Sequence, residues 1–278
     1  MNLDGQHPER GSLDAWGTIC ALAAVTSKVR LGTMVSPATF RHPSELARLV
    51  VTADHVSGGR VELGLGAGWH EREHAAHGFP YPPLGTRMDI LAEQLEVLLG
   101  NWRRPSDDAF SFAGEHYELS DLDAQPKPVQ RPHPPLIIGG NAGPRSAALA
   151  AQFADEYNTA FPTVDQILER RGRVERACEQ VGREAIPFSI MTGVLVGSDQ
   201  RELRSRAQRL GEKMGADPQA LLADPPPGWI VGTVDQAIEQ LLAVREAGVS
   251  RVMCQQLLHE DVDAVALLGT RLAPRVSG

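Results

Sequence analysis

Two histidines and a glutamate lie within one helical turn in His70-Glu71-Arg72-Glu73-His74. That spacing matches HExxH, in which the histidines hold zinc and the glutamate acts as a base. The same five residues also match the reversed HxxEH order, so the pattern discriminates poorly. A zinc-binding helix sits among apolar residues and needs a third ligand, whereas this run is charged throughout. A zinc hydrolase at His70, Glu71 and His74 is therefore the minor reading, and no metal is expected. A second constellation, Gly139-Gly140-Asn141-Ala142-Gly143-Pro144-Arg145-Ser146, joins a strand pattern to a helix start. Backbone N–H groups, the positive helix end and the Arg145 guanidinium together make an anion site, and a phosphate is its natural guest. The plainer alternative is an ordinary turn with Arg145 in solvent.

A third stretch runs from Gly59 to Trp69, where Val61, Leu63 and Leu65 read as a strand. Glycines alternate at Gly64, Gly66 and Gly68. Glycine weakens a strand, so its repetition at one strand end implies close approach to the backbone, as a flat ring would require. The dinucleotide fingerprint GxGxxG would need glycine at position 69, and tryptophan stands there, so that reading fails.

The elements that would carry these groups alternate. Ser12 is placed to cap a helix bearing Leu13, Trp16, Ile19 and Ala23, and residues 28–36 read as a strand. Pro43 suits the first turn of the next helix. A long helix follows at about 87–102. Residues 103–135 form an excursion with one hairpin turning at Ala113-Gly114. Strands at 135–140, 155–159, 187–197 and 251–255 alternate with helices at 144–154, 164–181, 201–214 and 262–272. Thr233 and Gln236 form a capping box for a helix that stops at Gly248. Six such alternations imply a parallel sheet, either doubly wound or closed as a (β/α) barrel; periodicity leaves both open.

The chain has 278 residues and a net charge of −8, which argues against the basic face of a nucleic-acid binder. It shows no apolar run of membrane-spanning length and no secretory h-region in its first residues. Cys20, Cys178 and Cys254 have neither ligand nor disulfide spacing and fit a reducing cytoplasm.

Four motifs in order, RLGTMVSPATFRHPSELAR, SGGRVELGLGAGWHEREH, QPKPVQRPHPPLIIGGNAGPRS and GWIVGTVDQAIEQL, resemble the luciferase-like monooxygenase superfamily, most closely its coenzyme F420-dependent branch. The resemblance implies a (β/α)8 TIM-barrel type of α/β fold, incomplete here with about six βα units. It covers residues 1–278 as a single domain. A strand–helix–strand segment that precedes this region in the family is absent, together with the family's Asp-His pair. The expectation is that Met1 is an internal methionine of a longer protein; the alternative is a naturally reduced six-stranded crescent.

By the same resemblance, F420, or alternatively FMN, would lie across the strand C-terminal ends. Thr33, Met34 and Val35 would lie beneath the ring, with a non-proline cis bond between Met34 and Val35. Gly66, Ala67, Gly68 and Trp69 would form the opposite part of the cradle. Gly139, Gly140, Asn141, Gly143 and Arg145 would hold the phosphate, and Asn158 the ring edge or substrate. Trp69 replaces the glutamate of the sugar-phosphate dehydrogenases, so that substrate class is disfavoured; a core aromatic is its plainer role. Asn158 and Thr159 equally suit a turn, and His42 a helix entry. His70 and Glu71 are the candidates for substrate contact, against a solvated helix face. The implied activity is F420-dependent hydride transfer to or from a small organic substrate, with FMN-dependent monooxygenation second and a non-catalytic cofactor binder third. The expected protein is cytoplasmic and a homodimer or higher homo-oligomer, with the alanine-rich helix at 12–27 as the contact face.

Overall fold

The computed structural model describes residues 13–105 and 108–277. It divides into two compact units: the described residues up to Tyr157 with Ala177–Ile186, and Asn158–Arg176 with the residues from Pro187 onward.

The first unit begins with α1 (Ala15–Val25), β1 (Leu31–Pro37), α2 (Pro43–Ser57), β2 (Val61–Gly66), α3 (Glu71–His77) and α4 (Leu84–Arg103). A hairpin of β3 (Phe110–Ala113) and β4 (Glu118–Leu122) follows, then β5 (Leu136–Gly139), α5 (Pro144–Phe153) and β6 (Glu156–Ala160), which runs on into the second unit. The helix cap expected at Ser12 lies outside the described residues. Asp14 caps α1 instead, its carboxylate accepting the Gly17 N–H at 2.9 Å. Pro43 does occupy the first turn of α2.

β1 pairs in parallel with β2, and β2 with β5. β6 comes next in the strand order. A buried relay crosses the first two strands: the Trp16 indole donates to Ser36 Oγ, Ser36 to Thr33 Oγ1, and Thr33 to the Gly64 carbonyl, at 3.1, 3.1 and 2.9 Å. At the other strand end the Arg60 guanidinium donates to the carbonyls of Ala23, Thr26, Val29 and Ser57 at 2.9, 2.8, 2.7 and 2.8 Å. The carbonyls of Ala23, Thr26 and Ser57 are ones a finishing helix leaves unpaired, and that of Val29 lies in the loop before β1, so Arg60 closes α1 and α2 together.

The excursion is ordered by α4. Glu93 accepts the N–H groups of Glu115, His116 and Tyr117 at 2.7, 2.9 and 3.0 Å, pinning the hairpin turn. Ala113 faces Glu118, so the turn occupies residues 114–117 rather than centring on Ala113-Gly114. Three converging amides suit one carboxylate better than any two-residue turn.

In the second unit come α6 (Val164–Gln180, its last residues in the first unit), β7 (Phe188–Gly197), α7 (Gln200–Met214), α8 (Pro218–Ala223), β8 (Ile230–Thr233), α9 (Val234–Glu246), β9 (Arg251–Gln255) and α10 (Val262–Leu267). A π-helical turn at Leu268–Leu272 leads to α11 (Ala273–Val276). β7 is buried along nearly its whole length, as a parallel strand covered on both faces must be. Its first half pairs with β9 and its second half with β8, both in parallel. The capping box of Thr233 and Gln236 is formed.

The class is α/β with parallel strands, of incomplete TIM-barrel type. Its six anticipated strands are β1, β2, β5, β6, β7 and β9; β8 and α8 were not anticipated. β8 has only four residues, the last of them the Thr233 cap itself, too few to show a period. Among the described residues no helix is long and apolar enough to cross a membrane.

Candidate functional site

β1 carries one residue more than β2 between the pairs Thr33–Leu63 and Ser36–Leu65, so Met34 and Val35 together face Gly64. A bulge of this kind redirects side chains at a strand end. The Met34–Val35 peptide bond is cis, as the resemblance implied.

The bulge accounts for the glycines. A Cβ on Gly66 would stand 2.9 Å from Val35 Cγ2, and one on Gly139 would stand 2.7 Å from Val35 Cγ1. A Cβ on Gly64 would fall on the Thr33 carbonyl oxygen. The expectation that Gly64 and Gly66 leave room for a ring is therefore corrected: their first occupant is β1 itself. Val35 wedges between the ends of β2 and β5, and it brings Met34, Gly66 and Gly139 onto one rim. Thr33 is buried and turns its hydroxyl onto Gly64, inside the relay described above.

Beyond β2, Ala67 is half-buried and Gly68 has φ +80°, with Thr39 and His74 closing around it. Trp69 is 74% exposed, so its reading as a core aromatic is overturned. Its carbonyl accepts the Tyr81 hydroxyl at 2.9 Å and its ring lies against His70 at 4.9 Å, which leaves the indole at the surface of the rim. His70 caps α3, its Nδ1 accepting the Glu73 N–H at 3.0 Å, and Glu71 is exposed in the first turn.

His74 is buried, with Nδ1 on the His70 carbonyl at 2.8 Å and Nε2 on Thr39 Oγ1 at 2.6 Å. Nε2 thus holds α3 to the loop after β1 while Nδ1 closes back on the helix's own start, and with both nitrogens engaged His74 is not presented as the motif's second zinc ligand. His42 caps α2, as a helix-entry residue does, and its ring meets that of Tyr117 edge-on at 5.2 Å. Burial pushes the Tyr117 phenol up, against the hydrogen bond from Gln94 that lowers it.

The loop after β5 completes the rim. Gly140 and Asn141 are exposed. Gly143 is the N-cap of α5 and no side chain caps the helix, and Pro144 in its first turn has no N–H. The amides of Arg145 and Ser146 are then the first the helix presents. A Cβ on Gly143 would meet nothing within 4 Å, so the space in front of this helix end is open. The residues fit a phosphate. Arg145 is half-exposed and engaged with α4: it pairs with Asp89 and donates to the Gly85 carbonyl at 3.0 Å.

Asn158 falls in the second unit, buried, donating to Ser189 Oγ at 2.8 Å. Thr159, also buried, accepts from Arg170 at 2.5 Å. Both polar side chains are used within that unit.

Two residues near the rim escaped sequence reasoning. Asp89 carries no local signal of its pairing with a residue 56 positions away. Tyr157 did carry one: a tyrosine inside a buried strand needs a partner for its hydroxyl. It finds the Ala142 N–H at 2.7 Å and Ser146 Oγ at 3.1 Å.

The family model described as luciferase-like monooxygenase matches residues 4–251. The chain belongs to this family. A protein of Mycobacterium tuberculosis is 34% identical to this luciferase-like chain over 176 residues, 63% of this chain and 60% of that one. An FMNH2-dependent dimethylsulfone monooxygenase of Pseudomonas putida is 30% identical over 202 residues, 72% of this chain and 53% of the relative. The chain thus spans little more than half the length of these curated relatives. Among solved structures, the F420-dependent tetrahydromethanopterin reductase of Methanopyrus kandleri superposes with a TM-score of 0.79 over 95% of this chain and 88% of its own, at 18% identity. At that identity the likeness is one of fold.

Proposed function

We propose that this luciferase-like chain binds F420 or FMN on the rim of β1, β2 and β5 and serves as an oxidoreductase for a small organic substrate in the cytoplasm. The observation that carries the reading is the Val35 wedge, which sets three strand ends beside an uncapped helix start. When bound, F420 would supply hydride transfer, and FMN would supply oxygen activation for monooxygenation. The motifs favour F420. The Pseudomonas putida relative, at higher identity than the F420-dependent reductase, favours FMN.

The chain's own part is to bind, orient and exclude water. Val35, packed against Gly66 and Gly139, closes the floor. The amides of Arg145 and Ser146 hold the phosphate, with the Arg145 guanidinium beside them. Arg145 must exchange its partner Asp89 for that phosphate. An exposed ion pair is worth only about 0–1 kcal/mol, so the exchange costs little. Trp69 offers an exposed aromatic face at the rim, and His70 and Glu71 begin the adjacent helix.

Binding and turnover test this directly. Arg145→Ala should weaken FMN and F420 about 10- to 100-fold, the range of one or two charge-assisted hydrogen bonds. Riboflavin and the phosphate-free deazaflavin should change less than twofold, read by fluorescence quenching. Unchanged FMN and F420 affinities would remove the phosphate site. Turnover with reduced F420 in the absence of oxygen, or with reduced FMN only in its presence, separates the two readings; tight binding without turnover favours a non-catalytic binder.

The same reading includes a homo-oligomer. The outward face of α1 bears Leu22 and Val25, exposed by 43% and 79%, with the exposed Ala21 and Ala24 beside them. A second copy of the chain is the occupant we propose for it. Sedimentation should show a dimer that dissociates on Val25→Glu; a monomer at high concentration rejects it.

A further inference from the structure

We propose that the Tyr157 hydroxyl is the positioning group that shapes the phosphate-binding turn between β5 and α5. The inference rests on the phosphate reading above. Tyr157 is fully buried at the start of β6. Its oxygen accepts the Ala142 N–H at 2.7 Å and shares a hydrogen bond of 3.1 Å with Ser146 Oγ. Ser146 Oγ donates in turn to the Gly143 carbonyl at 3.1 Å. One phenol therefore ties an amide at the start of the turn to a side chain in the first turn of α5.

Three features of the turn follow from that tie. Ala142 has φ +51°, a conformation that residues with a side chain seldom adopt unaided, and its amide is held there by the phenol. A Cβ at position 140 would stand 3.0 Å from the phenol oxygen, a tight contact that glycine avoids. The Gly143 carbonyl already accepts Ser146 Oγ and the Ala147 N–H at 2.9 Å, so it is turned away from an arriving anion. The amides of Arg145 and Ser146, in the first turn of α5, stay directed toward the anion. Tyr157 touches neither ring nor phosphate; it acts through the turn.

The test is Tyr157→Phe, which keeps the ring and removes the oxygen. The buried Ala142 N–H then loses its partner and the turn loses its tie. The expected result is about a tenfold loss of affinity for FMN, and likewise for F420, with riboflavin and the phosphate-free deazaflavin within twofold. Faster amide exchange at Ala142 should accompany it. Ser146→Ala should shift the same affinity ratio in the same direction, and it carries the test if the Phe variant does not fold. Equal losses for FMN and riboflavin, or no change in either, overturn the proposal. If Arg145→Ala weakens FMN while Tyr157→Phe and Ser146→Ala spare it, this inference alone is lost. If wild-type protein binds FMN no better than riboflavin, the phosphate reading fails and this inference with it.

Discussion

Gly64→Ala is expected to yield no folded protein at growth temperature. The new methyl group would fall on the Thr33 carbonyl oxygen, with Val35 Cγ1 3.1 Å away on the same side. A backbone carbonyl inside a paired strand cannot swing aside without breaking the ladder around it. Overpacking a core costs about 1–3 kcal/mol where side chains can adjust, and more where the obstacle is main chain. A loss beyond about 3 kcal/mol is a large part of the 5–15 kcal/mol that usually holds a domain together. Gly139→Ala should behave differently, since its methyl group would meet only the Val35 side chain, at 2.7 Å. Val35→Ala should restore stability to Gly139→Ala and do nothing for Gly64→Ala. Urea denaturation of the two single and two double variants makes the comparison. A soluble Gly64→Ala protein of wild-type stability, or no rescue of Gly139→Ala, would remove the wedge from the account.

The second large effect lies in the second unit, at Asp261. This buried carboxylate caps α10 through the Ala264 N–H at 2.8 Å and takes Arg206 Nε at 3.1 Å, with Arg209 pairing from outside. Burial pushes its pKa up, but hydrogen bonds from Arg206, the Ala264 amide and Arg209 outweigh burial and bring it from 3.8 to about 2. A folded-state value below the unfolded one stabilises the fold above pH 4, and that contribution drains away as pH falls from about 4 to 2. Its size is about 2 kcal/mol, from 1.36 kcal/mol per pH unit.

Asp261→Ala at neutral pH should cost more, about 3–5 kcal/mol. It strands the Arg206 guanidinium, which is only 2% exposed, with Glu202 at 3.0 Å and the Val196 carbonyl as its remaining partners. Asp261→Asn should flatten the acid limb of the stability profile between pH 4 and 2. Denaturation curves across that range decide it: an unchanged acid limb in the Asn variant would contradict the assignment.

Much of the architecture was legible in the chain alone, because apolar spacing and caps are local. The strand at Arg251–Gln255, the helix entry at Pro43 and the capping box at Thr233 depend on neighbours within a few residues. The four motifs carried the family and, with it, the cis bond at Met34–Val35. Where local signal was short or ambiguous, the reading failed. β8 is too brief to show a period.

Tertiary structure decided what each residue of the rim is for. Glycines at 64 and 66 are legible as close approaches, but only strand register shows that β1 makes the approach. His74 matched a metal-ligand spacing until folding set Thr39 against one nitrogen and the His70 carbonyl against the other. Arg145 announced an anion site, yet its pairing with Asp89 depends on where α4 lands beside α5. Spacing along the chain reports periods, caps and turns. Partners brought together from 15 to 60 residues apart follow from register and packing, which no short stretch of sequence records.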